Sequence, residues 1–321
     1  MKGKYKITIE TPKEVIEIEL KRKYTILKGF TGTGKSYLPV LIDRWYSEDL
    51  NVPVKIKTEL PITVVTSMRS LKGEVDKKEE GIIFLDESRR FMYSEDFATI
   101  TSNAVQYFLL CSRDDLPNLT YSIDEVYALS SDLPKNKKQK VKTVFTPYFK
   151  RFRERLFKPN YIIVEDTKSG YELYKEVFKD IEVIGAGGNS NAYRCAEEIL
   201  ENGGYNIIVI IDGAGGGSCT DELMRLLDVY NNRNVLVLCP ESFEYLILRS
   251  ELCTNFKISD ELDHTYDYCE SSIYSSWEDY YEKRLKELTF GTLMQYKKSK
   301  LSKYYKGKNA VKVLKVLEKE G

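Results

Sequence analysis

The sequence contains GFTGTGKS at residues 29–36, directly after the apolar segment YTILK at residues 24–28. The octapeptide has the pattern G-x-x-x-x-G-K-S, in which the backbone N–H groups of a glycine-rich loop surround phosphate oxygens. Glycine at three of these positions removes the Cβ atoms that would obstruct the turn or the phosphate. The stretch therefore predicts a buried strand, a phosphate-binding loop and a helix whose positive dipole end favours an anion.

Two side chains of this loop have predicted roles. Lys35 is expected to reach the β and γ phosphates of a nucleotide and to act in catalysis, and the hydroxyl of Ser36 is expected to bind Mg²⁺. An ordinary glycine turn before a helix is the alternative. The residues predicted to contact ATP are Gly29, Thr31, Gly32, Thr33, Gly34, Lys35, Ser36, Tyr37 and Arg113.

A second motif follows at residues 81–87, where the apolar run GIIFL ends in Asp86 and Glu87. After a phosphate-binding loop, these carboxylates suit a site in which Asp86 orders the Mg²⁺ shell and Glu87 polarises the attacking water. A strand that ends in a solvated acidic turn is the alternative. The pair is predicted to complete an ATP-hydrolysing site.

Residues 4–10 and 14–20 alternate between apolar and polar side chains, which predicts a β-hairpin. A hairpin before a phosphate-binding loop resembles the start of the ATPase cores of the ABC and SMC type. That resemblance implies ATP binding and hydrolysis. The space between the two motifs is too short for a transporter's helical subdomain or a long coiled coil, so we expect a minimal P-loop NTPase domain.

In P-loop ATPases, the strand beside the acidic motif commonly ends in a polar residue that senses the γ phosphate. Here the apolar run at residues 105–111 ends in Ser112 and Arg113, which are the candidates. For Arg113 a second interpretation stays open, a surface ion pair with Asp114 or Asp115.

The second half of the chain alternates strand and helix patterns. This order implies right-handed crossovers and a mostly parallel sheet with acidic residues at its carboxyl edge. Ser190 is the predicted N-cap of a helix that Gly203 ends. The predicted strands are 161–164, 181–184, 207–211 and 235–238, and the predicted helices are 170–178, 191–202 and 220–230.

Residues 160–250 resemble the TOPRIM domain. The similarity is greatest to nucleases of the overcoming-lysogenization-defect family and to anti-phage systems that join an ATPase to a TOPRIM effector. The matching pieces are Glu165, the turn at 187–188, Asp212, and a later Glu241 or Glu244. The resemblance implies that Glu165 is the catalytic acid/base and that Asp212 and Glu244 bind Mg²⁺.

One departure weakens a two-metal site. The family's second motif is usually Asp-x-Asp, whereas this sequence has Asp212-Gly213-Ala214. The glycines at 213 and 215–217 are alternatively a phosphate cradle. Three interpretations stay open: a site that cleaves phosphodiesters, a TOPRIM fold used for binding or sensing, and an unrelated α/β domain.

Length and composition are typical of a two-domain globular protein. The chain has 321 residues, with 49 basic and 49 acidic residues and one histidine. No apolar run is long enough to cross a bilayer and the N-terminus does not resemble a signal peptide, so we expect a cytoplasmic protein without a membrane partner. The scattered cysteines and the single histidine argue against structural zinc, a disulfide framework or a histidine-based triad.

The charges are segregated along the chain. Residues Lys135 to Lys158 and Lys297 to Lys319 are strongly basic, whereas Glu251 to Glu282 is acidic. Basic segments on a neutral protein suggest contact with nucleic acid. Solvated faces are the alternative for both segments, and pairing with the acidic stretch is a further alternative for the connector.

The combined prediction is an α/β protein with three parts. Residues 1–158 form a P-loop ATPase domain with a basic connector, residues 159–250 a TOPRIM-like parallel-sheet domain, and residues 251–321 a helical extension. We expect the ATPase, with ATP and Mg²⁺, to regulate cleavage or binding of nucleic acid, in a setting such as defence against phage or mobile elements. A nucleotide-switched sensor with an inactive TOPRIM fold and a P-loop kinase or transferase are the alternatives. The sequence leaves open whether the chain forms a homo-oligomer or has a partner protein.

Overall fold

A computed structural model describes residues 2–28, 37–47, 53–132, 140–149 and 157–320. The chain divides into two compact units. The first consists of Met1–Phe149 with Tyr266–Ser275, and the second of Lys150–Thr265 with Ser276–Gly321. The described residues thus form a mixed α/β structure with one sheet in each unit.

The described part of the first unit contains one large sheet. Its strand order is β4-β1-β2-β9-β8-β3-β7-β6-β5. The strands β8, β3, β7, β6 and β5 run parallel, and β1 and β2 form the predicted antiparallel hairpin. The strands are β1 (Tyr5–Glu10), β2 (Glu14–Leu20), β3 (Tyr24–Leu27), β4 (Lys55–Thr58), β5 (Ile62–Val64), β6 (Ile82–Leu85), β7 (Tyr107–Cys111), β8 (Val126–Asp132) and β9 (Val141–Pro147).

The central strands of this sheet are buried on both faces. In β6, Ile82 and Phe84 belong to one hydrophobic cluster and Ile83 and Leu85 to the other. Such strands are continuously apolar because neither face meets water. Helix α1 (Tyr37–Tyr46) packs into the first cluster, and α2 (Met68–Asp76) and α3 (Glu95–Ser102) pack into the second.

Strand β9 lies inside the segment that sequence analysis treated as a basic connector. It pairs with β2 in parallel and with β8 in antiparallel orientation, and Lys142 forms an ion pair with Glu17 at 2.8 Å. Its sequence, VKTVFTP, is rich in β-branched residues, which favour a strand. Residues 135–139 and 150–156 of the connector lie outside the described residues.

The second unit contains a four-stranded, wholly parallel sheet in the order β11-β10-β12-β13. Its strands alternate with helices, as predicted. The strands are β10 (Tyr161–Val164), β11 (Glu182–Gly185), β12 (Ile207–Ile210) and β13 (Val235–Leu238), and the helices are α4 (Ser169–Val177), α5 (Asn189–Glu201), α6 (Thr220–Val229) and α7 (Phe243–Arg249).

The predicted start of α5 is wrong. The helix begins at Asn189, so its N-cap is Gly188 and not Ser190. Gly188 has φ +137°, a conformation that side chains disfavour, and this lets the chain turn into the helix two residues early. The predicted stop at Gly203, with φ +88°, is confirmed.

The C-terminal helices pack within the two units instead of forming a separate body. In the second unit, Tyr281, Leu285, Val313 and Leu317 are buried. The predicted helical extension ends in a lysine-rich helix that begins at Lys308. No helix among the described residues is long and apolar enough to cross a membrane. The helices are α8 (Ser259–Asp263), α9 (Thr265–Tyr268), α10 (Trp277–Thr289) and α11 (Lys308–Glu320).

Candidate functional sites

In the first unit, the motifs found in the sequence follow three neighbouring parallel strands. The predicted phosphate-binding loop follows β3 in the sequence, Ser112–Arg113 follows β7, and Asp86–Glu87 follows β6. Since β7 pairs with both β3 and β6, the ends of these strands meet at one edge of the sheet. Arg113 therefore lies between the end of β3 and the acidic pair.

Arg113 contacts Glu87, a partner that the sequence analysis did not consider. Its Nε donates to Glu87 Oε2 at 3.0 Å and its Nη2 to Glu87 Oε1 at 2.6 Å. This two-point contact raises the pKa of Arg113, with the hydrogen bond to Glu87 as the main cause. Because 63% of the Arg113 side chain is exposed, its guanidinium can move away from Glu87 without disturbing the packing of the hydrophobic core.

Asp86 and Ser112 hold local turns. Asp86 Oδ1 accepts from the N–H of Glu87 at 2.7 Å, and Asp86 Oδ2 accepts from Ser88 Oγ at 2.9 Å. Ser112 is fully buried, and its hydroxyl donates to the main-chain oxygen of Asp114 at 2.6 Å. Of the two candidates after β7, Arg113 is thus the one whose side chain is exposed at this edge.

Lys28 was not singled out by sequence reasoning. It is fully buried at the end of β3, where its Nζ pairs with Asp115 and lies 5.4 Å from the ring centre of Tyr148. Its N–H donates to the main-chain oxygen of Tyr127 at 2.7 Å. These contacts anchor the residue that immediately precedes the phosphate-binding loop.

The loop itself lies outside the described residues, as does the side chain of Tyr37. The predicted contacts of ATP and Mg²⁺ with these residues therefore stay predictions. The residues concerned are Gly29, Thr31, Gly32, Thr33, Gly34, Lys35, Ser36 and Tyr37.

In the second unit, the structure brings the three predicted carboxylates to one pocket. Glu165 directly follows β10, Asp212 comes two residues after β12, and Glu244 lies in the first turn of α7. All three line a cavity of about 280 Å³ at the carboxyl edge of the sheet. Glu241, the alternative to Glu244, is not among the lining residues, which also include Asp166, Thr167, Lys168, Gly187, Gly188, Phe243, Glu278 and Lys298.

Backbone hydrogen bonds hold Glu165 in this pocket. Its Oε2 accepts from the N–H of Asp212 at 2.9 Å. Its main-chain oxygen accepts from the N–H groups of Gly187 and Gly188, at 2.8 and 3.1 Å. The glycine turn noted in the sequence therefore positions Glu165.

Glu244 is almost completely buried. Its Oε1 accepts from the hydroxyl of Tyr296 at 2.6 Å, and that hydroxyl lies 2.9 Å from Ser169 Oγ. Its Oε2 has no hydrogen-bond partner among the described residues. One oxygen of the Glu244 carboxyl group is thus fixed by a hydrogen bond, whereas the other is able to accept a hydrogen bond or bind a cation.

Burial dominates the electrostatics of the pocket. It raises the pKa of both Glu165 and Glu244 to about 7. It also raises the pKa of Asp212 well above its usual range, with repulsion from Glu165 as the next cause. Ionising all three groups is therefore unfavourable unless a cation offsets their charge.

The residues fit a magnesium ion that takes few protein ligands. Among the described residues, no three Asp, Glu, His or Cys side chains are arranged to hold a metal together. Mg²⁺ does not require such a cage, since it usually keeps several waters and binds one or two carboxylates plus substrate phosphate. The unpartnered oxygen of Glu244 and the raised pKa of Asp212 agree with a site of that kind.

Lys298 is a pocket residue that sequence reasoning assigned elsewhere, to a basic surface for nucleic acid. Its Nζ donates to Glu278 Oε1 at 2.7 Å and to Glu282 Oε2 at 3.3 Å. Lys306 and Lys312 of the same basic segment also form ion pairs, with Glu172 and Glu251. The basic C-terminal run is therefore partly neutralised within the protein, which the sequence analysis did not predict.

The glycine-rich segment after Asp212 has its N–H groups bonded internally. The N–H of Gly213 donates to Pro240 at 2.6 Å and that of Ala214 to Glu241 at 2.9 Å. A Cβ at 213 would lie 3.0 Å from two main-chain oxygens, so glycine is needed there for close packing. These contacts disfavour the phosphate-cradle alternative for this segment.

Comparison with known proteins assigns no family to this arrangement. No protein-family model matches the chain, and none of the curated proteins matches its sequence. Function must be inferred from the residues and their geometry.

Proposed function

We propose that the first unit binds and hydrolyses ATP and that the second unit cleaves phosphodiester bonds in nucleic acid under its control. The main support is the convergence of Glu165, Asp212 and Glu244 on one pocket, although they come from three different elements. The TOPRIM resemblance of residues 160–250 supports the same chemistry. Defence against phage or mobile elements, within the cytoplasm, is the setting proposed for it.

In this proposal, Asp212 and Glu244 hold Mg²⁺ with their carboxylate oxygens. When bound, Mg²⁺ supplies Lewis-acid polarisation of the phosphoryl group and offsets the pocket's negative charge. Glu165 accepts a proton from the attacking water, a role for which a pKa near 7 is suitable. The ammonium of Lys298 lines the same pocket and favours a phosphate anion there.

The proposal is for a single metal ion. The position of the second family aspartate is Ala214, which is 2% exposed beside the end of β13. A carboxylate placed there would be buried, which is unfavourable for its charged form. The same feature favours a second candidate, a nucleotide-switched binding protein whose TOPRIM-like fold is catalytically inactive.

For the first unit, we propose that Glu87 polarises the attacking water, while Lys35 and Ser36 contact the phosphates and Mg²⁺ and Asp86 orders the metal's water shell. Glu87 is engaged by Arg113 in this structure. Movement of the exposed Arg113 towards the γ phosphate would release Glu87 to act on water. Nucleotide binding and catalysis would then be linked through one ion pair.

The nuclease proposal is tested with purified protein, Mg²⁺ or Mn²⁺, ATP, and plasmid, single-stranded DNA or RNA. Asp212→Asn and Glu165→Gln are expected to reduce cleavage at least about 100-fold, since general acid–base catalysis alone typically contributes 10²–10⁴-fold. Glu182→Gln is the matched control, because Glu182 begins β11 at the opposite edge of the same sheet. Cleavage that survives in Asp212→Asn refutes the assignment, and nucleic-acid binding without cleavage by the wild type supports the inactive TOPRIM-like fold.

A further inference from the structure

A second pocket lies in the first unit, at the opposite end of β3 from the phosphate-binding loop. Lys23 immediately precedes β3, whereas residues 29–36 follow it. The pocket has a volume of about 330 Å³. Its lining includes Lys23, Thr99, Ser102, Asn118 and Thr120. None of these residues takes part in the predicted ATP site.

Lys23 is an unusual lining residue because only 4% of its surface is exposed. Its Nζ donates to the main-chain oxygen of Ser102, the last residue of α3. Over the described parts of the chain, no carboxylate forms an ion pair with Lys23, although buried lysines are normally paired. Burial accordingly lowers the pKa of Lys23 to about 8, while the nearby Cys269 acts in the opposite direction.

Capping of α3 explains only part of this arrangement. A cation at a helix C-terminus is favourable, and the carbonyl of Ser102 uses one of the three ammonium donors. The other two donors have no acceptor within the described ranges. The hydroxyls of Thr99 and Thr120, on the wall of the same pocket, also make no hydrogen bond with described residues. A buried lysine and two exposed threonines thus line one cavity.

We propose that this pocket binds a small oxyanion, a carboxylate or a phosphate monoester, through the ammonium of Lys23. The hydroxyls of Thr99 and Thr120 supply further donors, and Ala98 and Leu119 supply an apolar wall. An anion here gives the buried ammonium the carboxylate-like counter-charge that the described residues do not provide. The ligand site is joined to the phosphate-binding loop by β3, a buried strand of four residues. It is independent of the function proposed for the second unit.

The test uses the full-length chain with Lys35→Ala, so that the phosphate-binding loop does not contribute to binding. Inorganic phosphate and acetate are titrated at constant ionic strength, with chloride as the reference anion, and binding is followed by calorimetry. Adding Lys23→Met is expected to weaken binding at least tenfold, whereas Lys23→Arg retains most of it. Lys21→Met is the matched control, because Lys21 lies on the same turn and pairs with Glu19 at 3.8 Å.

Preference for phosphate or for acetate identifies the source of the oxyanion. Equal binding by Lys35→Ala with and without Lys23→Met overturns the proposal, as does no binding of either anion. Should Lys23→Met not fold, reductive methylation of the Lys35→Ala protein at pH 8 gives a second measurement. Modification of Lys23, located by mass spectrometry, is expected to slow several-fold in the presence of the bound anion, and an unchanged rate overturns the proposal.

Discussion

Replacing Glu244 by Gln tests the electrostatics of the carboxylate pocket through stability. Glu244 is 1% exposed, and burial raises its pKa from 4.5 to about 7. The folded protein therefore holds a proton that the unfolded chain releases between these two pH values. The stabilising effect of this proton is complete below pH 4.5 and is lost as pH rises through 7.

The effect of this pKa shift on the free energy of unfolding can be calculated. At about 1.4 kcal/mol per pKa unit, Glu244 alone lowers the free energy of unfolding by about 3 kcal/mol between pH 4.5 and pH 8. Glu244→Gln keeps the shape and cannot ionise. Relative to wild type, the variant is therefore expected to gain about 3 kcal/mol at pH 8 and little at pH 4.5.

Each unit contains one tryptophan, which makes the assay specific. Replacing Trp45 by Phe leaves Trp277, at the start of α10, as a fluorescence reporter of the second unit. Urea unfolding is measured with EDTA at several pH values. Glu172→Gln is the control, because Glu172 is partly exposed and pairs with Lys306 at 3.3 Å. Adding Mg²⁺ at pH 8 should stabilise wild type and not Glu244→Gln.

Equal pH dependence in wild type and Glu244→Gln would refute this account of the pocket. The remaining buried carboxyl groups, Glu165 and Asp212, keep part of the pH dependence in the variant, so the decisive quantity is the difference between the two proteins. A loss of stability in Glu244→Gln at pH 8 would mean that Glu244 is ionised and compensated in the folded state.

Three further predictions concern the two proposed activities. Glu87→Gln should retain bound ATP with Mg²⁺ and lose turnover, because the amide keeps the shape without the charge, and unchanged phosphate release would move this role elsewhere. Lys298→Met should raise KM for nucleic acid more than it lowers kcat, since it removes a phosphate-facing cation, and an unaltered KM would contradict that placement. Replacing the connector's basic residues by Gln should flatten the dependence of nucleic-acid affinity on salt, by about 0.9 in the log–log slope for each duplex phosphate that the variant no longer neutralises. The residues to be replaced are Lys150, Arg151, Arg153 and Arg155. An unchanged salt slope together with a lower melting temperature would indicate that they pair with acidic residues inside the protein.

The local sequence determined much of the architecture of the second unit. Its central strands β10 and β12 are short, mostly buried runs rich in β-branched residues, and such runs can be recognised without knowing their neighbours. Glu165 and Asp212 stand directly beyond two of these runs. Because parallel strands end at the same edge, their approach was predictable from the alternation of strands and helices.

Partners from distant parts of the chain were decided by the tertiary structure. Glu87 and Arg113 meet because β6 and β7 pair, and the sequence of each segment contains nothing that selects the other. Lys298 reaches the carboxylate pocket through the packing of the C-terminal helices, although its sequence context predicted a surface role. Lys23 became notable only when its burial was known. A sequence pattern reports which face of an element is apolar, whereas charge pairing and burial depend on side chains that folding brings from elsewhere.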